Sequence, residues 1–143
     1  MTVSTVSFSV QSPIEEVFAL SNDLATLGPL IPDVTKIEVA DPMNALLHMT
    51  TKIGFMKHTT KLRTIISKLK PPSHAEFTGD SDELTLSGSV DLKSLPEGGT
   101  EIFCELKTEG KGPLRMIINS FLDSMAKVTI DGFARNIKKM LEA

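Results

Sequence analysis

The chain has 143 residues, 41% of them apolar, and a net charge of −3, which suits one domain over residues 1–143 built on one core and gives no reason to expect nucleic acid as a partner. Its first basic residue is Lys36, it has no apolar run near the ~18 residues of a membrane span, and its single cysteine, Cys104, excludes an intrachain disulfide or a cysteine-spaced metal site. The expectation is a cytosolic protein without metal or organic cofactor, in which seven Phe and no Trp or Tyr leave any aromatic wall without a phenol or indole donor.

Thr2 to Val10 alternates, with Val6, Phe8 and Val10 on one face and Thr5, Ser7 and Ser9 on the other, as a half-buried strand does. Ser12-Pro13-Ile14-Glu15 predicts a helix start, with Ser12 as the cap and Ile14, Val17 and Phe18 as the inner stripe. Asn22-Asp23 predicts the cap of a second short helix that buries Leu24 and Leu27 and ends at Gly28-Pro29. Val34 to Ala40 is a short strand closed by the turn Asp41-Pro42-Met43-Asn44.

Ala45 to Ile53 and Met56 to Ile66 form a hairpin around Gly54-Phe55, where a leading glycine fits a type II′ turn. That turn sets Ile53 against Met56, and every other pair follows. One face then carries Leu47, Met49, Thr51, Ile53, Met56, His58, Thr60, Leu62 and Thr64. The other carries Leu46, His48, Thr50, Lys52, Lys57, Thr59, Lys61 and Arg63. Parity alone separates an apolar face from a basic one, which supports the register. Ile65-Ile66 interrupts the alternation and predicts a bulge or twist there. Three more strands follow, His74 to Thr78, Glu83 to Lys93 and Thr100 to Glu109, with Ala75, Phe77, Leu84, Leu86, Val90, Leu92, Ile102, Cys104 and Leu106 inward. Pro113 to Glu142 has apolar residues at spacings of three and four, a long helix with one buried face. Ile118, Phe121, Met125 and Val128 are its expected packing residues, and Asp123–Lys127 and Asp131–Arg135 its expected ion pairs. The fold class is therefore α+β: a seven-stranded antiparallel sheet wrapped around a long C-terminal helix, with two short helices after the first strand.

This order resembles the START-like superfamily of the birch-pollen allergens, whose architecture is the helix-grip fold, and within it the CoxG family, named for carbon monoxide dehydrogenase. The resemblance covers nearly the whole chain. It rests on Ser12-Pro13-Ile14-Glu15-Glu16-Val17-Phe18, Asn22-Asp23, Ile31-Pro32, Lys52-Ile53-Gly54 and the terminal helix. In the family a small residue or Cys often precedes the Ile-Pro and Gly follows it; here Leu30 and Asp33 stand there, and Phe55 stands where Pro is common at the hairpin tip. Some members carry a C-terminal extension thought to attach to membranes; this chain ends at Ala143.

Catalytic chemistry is hard to place. Asp80, Asp82 and Glu83 cluster in a turn, where solvated carboxylates are the ordinary outcome. His48, His58 and His74 lack metal-ligand spacing, with His58 inward and the other two outward. Cys104 faces in with no base beside it, and Gly110-Lys111-Gly112-Pro113 lacks the donors of a phosphate loop. A pocket is better supported, with the resemblance supplying most of that support. Its expected walls are Phe8, Val10, Ile31, Met49, Ile53, Leu62, Phe77, Leu86, Phe121 and Met125, with His58 and Thr60 holding a polar head group and Phe55 as a gate at the hairpin tip. The plain alternative is a solid core. The expected occupant is a lipid, quinone or polyketide-like molecule. The family name implies instead an accessory protein for assembly or membrane placement of a molybdenum-type oxidoreductase, and the superfamily also includes cyclases and dehydratases. Lys52, Lys57, Lys61 and Arg63 form a basic stripe on the outer face, a candidate surface for a dehydrogenase complex or peripheral membrane contact.

Overall fold

β1 (Thr2–Val10) is an edge of a seven-stranded antiparallel sheet. The computed structural model describes residues 1–53 and 55–142, and of Ser21, Thr51, Ile53 and Met56 the backbone only. After β1 come α1 (Ile14–Ser21), α2 (Leu24–Leu27), a single 3₁₀ turn (Gly28–Leu30), β2 (Val34–Asp41), β3 (Asn44–Ile53), β4 (Met56–Lys70), β5 (His74–Asp80), β6 (Leu84–Ser94), β7 (Thr100–Gly110) and α3 (Arg115–Leu141). β2 to β7 follow one another across the sheet, and β1 closes it beside β7. α3 lies on the inner face over β1 and β7. This is the helix-grip architecture expected from the strand and helix order.

The β3–β4 register is the expected one at every described pair, from Asn44 opposite Ile65 to Ile53 opposite Met56. The turn type at Gly54 lies outside the described residues. The bulge falls later than Ile65-Ile66: Ile65 points out, Ile66 is buried in step with Thr64, and the register shifts between Ile66 and Lys68. β4 continues past the shift to Lys70. Ser12 does not cap α1. Its hydroxyl donates to the Leu141 carbonyl at 3.0 Å, and its own carbonyl accepts from Thr100 Oγ1 at 2.8 Å. Asp23 does cap α2, accepting from the Ala25 N–H at 3.1 Å and from Thr26 Oγ1 at 3.0 Å.

α3 starts at Arg115, after Pro113. Its inner face runs through Ile118, Ala126, Ile130, Ala134 and Ile137. Val128 lies two positions from both Ala126 and Ile130, about 200° around the helix, and is 57% exposed. The expected packing role of Val128 is therefore wrong, and Phe121 is only half-buried. Lys127 pairs forward with Asp131 at 2.9 Å, not back with Asp123. The reason is that Asp123 and Lys127 are engaged by β1: Thr2 Oγ1 donates to the Asp123 carboxylate, and Lys127 Nζ donates to the Thr5 carbonyl at 2.8 Å. Lys138 Nζ donates to the Ser9 carbonyl at 2.9 Å, and the Gln11 N–H donates to Glu142 at 3.0 Å.

Two apolar clusters fill the interior. Val10, Val17, Phe18, Leu92, Ile102, Ile130 and Ile137 close the end under α1. Leu24, Ala45, Leu47, Leu62 and Ile66 lie under α2. The loop after the 3₁₀ turn rests on α3, because Gly132 has no side chain: a Cβ there would stand 3.0 Å from the Pro32 ring. Asn136 Nδ2 donates to the Leu30 carbonyl at 2.7 Å beside it. Asp33 ends this loop at φ 72°, the left-handed region that glycine enters without steric cost. That geometry accounts for glycine at this position in the resembling family.

These placements set the cost of two kinds of substitution. Ile102→Ala should cost about 2–5 kcal/mol, because Ile102 sits in the filled end, whereas Phe121→Ala should cost about 1–2 kcal/mol, since half the ring already lacks packing partners. Equal losses in urea titrations would show that α3 is packed as tightly at residue 121 as at the closed end. Asp33→Gly should stabilise by up to about 1 kcal/mol, the left-handed strain relieved less the added freedom of the unfolded chain. A loss of stability in the same titration would mean that the Asp33 side chain holds the loop.

Candidate functional site

The β3–β4 hairpin reaches beyond the end of β5, while α3 stays over β1 and β7. The space between them holds two adjoining cavities. The first, of about 110 Å³, is bounded by Met49, His58, Thr60 and Leu62 of the hairpin, by Leu84, Leu86, Leu106 and Thr108 of β6 and β7, and by Ile118, Phe121, Leu122, Met125, Ala126 and Thr129 of α3. The second, of about 90 Å³, lies towards α2 against Leu24, Leu27, Ile31, Leu47, Phe77, Val90, Cys104, Ile130 and Phe133, with Thr64, Ser89 and Glu105 also on its boundary. Met49, Leu62, Leu86, Leu106 and Thr129 wall both. An apolar cavity of ~150 Å³ is enough to take up benzene, and the two adjoining lobes together exceed that. Phe77 reaches the second lobe across Gly88, where a Cβ would stand 2.2 Å from the ring.

The polar groups gather on the first lobe. Glu83, in the turn between β5 and β6, lies against His58 and Thr60. His58 Nε2 hydrogen-bonds the Glu83 carboxylate, and Thr60 Oγ1 donates to it at 3.4 Å. Asp33 stands at the rim. On β7, the buried Thr108 hydroxyl has no hydrogen-bond partner among the described residues. In the second lobe burial pushes the Cys104 thiol up to about 12, so it is a packing group and not a nucleophile.

Of the residues singled out in the sequence, Met49, His58, Thr60, Leu62, Leu86, Phe121 and Met125 meet around the first lobe, and Ile31 and Phe77 reach the second. Phe8 does not join them. It pairs across the ladder with Ile102 and packs in the closed-end core, as does Val10. Phe55 does not cover the mouth, because its ring stands wholly in solvent at the hairpin tip. The Ile53 side chain lies outside the described residues. Sequence reasoning missed Thr108, although the parity of Ile102, Cys104 and Leu106 continues to it. It also missed Thr129, which continues the helical spacing of Met125 and Ala126. Nothing local marks Glu83: the expectation of a solvated turn carboxylate fails because the turn folds it back onto β4.

On the outer face Lys52, Lys57, Lys61 and Arg63 are all exposed, and Lys52 lies directly opposite Lys57. Arg63 is partly neutralised. Asp80 accepts from Lys111 Nζ and Arg63 Nη2, each at 2.7 Å, and these two cations hold its carboxyl below the usual range. His74 bridges Glu76 and Asp91 at 2.7 and 2.6 Å, and those bonds hold its pKa above the ordinary value. An open polar hollow of about 300 Å³ lies beside it, lined by Ser67, Glu76, Ser87, Ser89 and Lys107. Among the described residues, no three His, Cys, Asp or Glu side chains group as metal ligands. No described helix is long and apolar enough to cross a membrane.

Solved structures share this architecture. A conserved protein from Geobacillus kaustophilus superposes with a TM-score of 0.79 at 20% identity, covering 96% of this chain and 93% of the other. A START superfamily protein from Mycobacterium smegmatis gives 0.77 at 13% identity, covering 98% and 97%. The Zhui aromatase/cyclase of a Streptomyces species gives 0.69 at 10% identity, covering 99% and 93%. No curated protein matches the sequence. The family model of CoxG, a carbon monoxide dehydrogenase component, matches residues 7–142, nearly the whole length. The chain belongs to the carbon monoxide dehydrogenase CoxG family.

Proposed function

We propose that this chain is a non-catalytic binding module that holds an apolar small molecule, a lipid, quinone or polyketide-like compound, between its sheet and α3. The observation that carries this reading is the pair of adjoining cavities with mainly apolar walls and a few polar groups, Glu83, His58 and Thr60 together in the first lobe, the composition of small-molecule sites. Met49, Phe121 and Met125 sit where the first lobe meets solvent, and the unbranched Met side chains can move aside to enlarge it. The absence of a reactive thiol fits binding better than covalent chemistry. Membership of the CoxG family and likeness to a START superfamily protein point the same way.

The neutral probe N-phenyl-1-naphthylamine should bind with a Kd of roughly 1–10 μM, about −7 to −8 kcal/mol. Thr129→Phe, which fills the wall common to both lobes, and Met125→Trp should each abolish binding while the urea midpoint stays near wild type. Unfolding of both variants, as overpacking of a filled core produces, together with no probe uptake by wild type, would leave the chain without a ligand site.

A second reading follows from the outer face: an accessory protein for assembly or membrane placement of a molybdenum-type oxidoreductase, as the family name implies. What favours it is the exposed pair Lys52 and Lys57, directly opposite each other beside the tip of a hairpin that presents the Phe55 ring to solvent. Exposed aromatic apices flanked by cations suit contact with an acidic protein or an anionic bilayer. Lys57→Glu with Lys61→Glu should weaken retention by a dehydrogenase complex in a pull-down, or flotation with anionic vesicles, and raised salt should do the same to wild type. Salt-independent binding, unchanged in the double variant, would exclude this surface.

A further inference from the structure

The polar end of the first lobe has a chemical sign, and it constrains what the ligand carries there. Thr108 is 4% exposed, lines the lobe and leaves its hydroxyl oxygen without a partner among the described residues. Buried hydroxyls are nearly always paired, because leaving one unsatisfied forfeits its hydration with nothing in exchange. The Thr108 side chain lines the lobe but its hydroxyl oxygen is sealed from it, and because that oxygen holds no bond, a χ1 rotation towards the cavity breaks none and presents a vacant hydrogen-bonding position. The opposite side of the lobe is acidic. The Glu83 carboxylate, which can only accept, already takes hydrogen bonds from His58 and Thr60, and Asp33 stands at the rim. Neither lobe has a Lys or Arg among its described lining residues. A carboxylate or phosphate head group would lose its hydration to meet the Glu83 and Asp33 carboxylates, with no lysine or arginine to receive it.

Resting on the reading of the cavity as a ligand site, we propose that this site selects an uncharged amphiphile. A neutral alcohol or ketone oxygen pairs with Thr108 Oγ1, and the apolar remainder runs between Leu86 and Leu106 into the second lobe. Glu83 is the residue that excludes anions of the same shape. Thr108 and Glu83 would then set specificity, and the shared apolar walls the size of the chain or ring.

The test is displacement of N-phenyl-1-naphthylamine from the full chain by four eight-carbon probes, octan-1-ol, octan-2-one, octanoate and octane, at neutral pH. The alcohol and ketone should displace at concentrations at least about tenfold below octanoate. Thr108→Val, which keeps the shape and removes the hydroxyl, should weaken alcohol and ketone about fivefold and leave octane unchanged. Its urea midpoint should rise, since the orphan group is gone. Glu83→Gln should tighten octanoate and leave octan-2-one as it was, and this arm does not depend on the folding of the Thr108 variant. Octanoate binding as tightly as the alcohol, or Thr108→Val weakening octane and alcohol alike, would overturn the assignment. Octane taken up without any head-group preference would overturn this assignment but not the ligand site. Failure of all four, and of the fluorescent probe itself, would overturn both.

Discussion

α3 is stitched along β1, and the interior depends on that seam. β1 is an edge strand, and its outward carbonyls would otherwise be open to another chain. Two lysines of α3, Lys127 and Lys138, cover the carbonyls of Thr5 and Ser9, while Asp123 and Glu142 take the Thr2 hydroxyl and the Gln11 N–H. The contacts advance in the same direction along both elements, so helix and strand run side by side. The bonds are exposed, and each is worth little on its own. Together they fix which flank of the helix meets the sheet edge, and so which flank is left to face the hairpin.

The far flank is held only towards its C-terminal half. There Ala134 and Ile137 are buried, Gly132 lets the Pro32 ring approach, and Asn136 ties down the Leu30 carbonyl. Towards the N-terminal half the small residues give way to Phe121 and Met125, which lean over a gap they do not fill. The second tie at that end, from the Gly110 N–H to Asn119 Oδ1 at 2.7 Å, again points to β7 and not to the hairpin. A helix gripped along one side and at one end leaves a cleft at the other end. The cavity is therefore a consequence of how α3 is anchored, more than of any shortage of apolar side chains.

Parity carries the sheet because one face is wet. The 45–65 hairpin register and the inward set of β6 and β7 are readable from alternation alone, and a one-residue slip would put Lys52, Lys57 and Lys61 in the core. Half of the lobe walls follow from the same rule. Three of the failures share a cause: Ser12, Asp123 and Glu83 are each recruited by something distant in sequence. Ser12 has the right neighbours for a helix cap, yet the end of α3, 129 residues away, takes its hydroxyl. Asp123 has a partner four residues on, yet β1 engages it first. Glu83 sits in a polar turn, and only the folded position of β4 brings it over His58. Phe55 reads as a cover because it is apolar, but a hairpin tip that overhangs the sheet has nothing beneath it to cover.

The division of labour within the site follows from these origins. The apolar walls come from strand interiors and the inner face of α3, positions that any sequence of this architecture must keep apolar to fold. The fold itself is shared with structures at 10–20% identity. The polar groups come from several elements: His58 and Thr60 from β4, Glu83 from the turn between β5 and β6, Thr108 from the last inward positions of β7, and Asp33 from a loop held there at positive φ. Glu83, Thr108 and Asp33 can each change without disturbing the seam between α3 and β1 or the pairing of the hairpin. On the proposed reading, the character of the polar end is set by these residues of this chain and not by the fold.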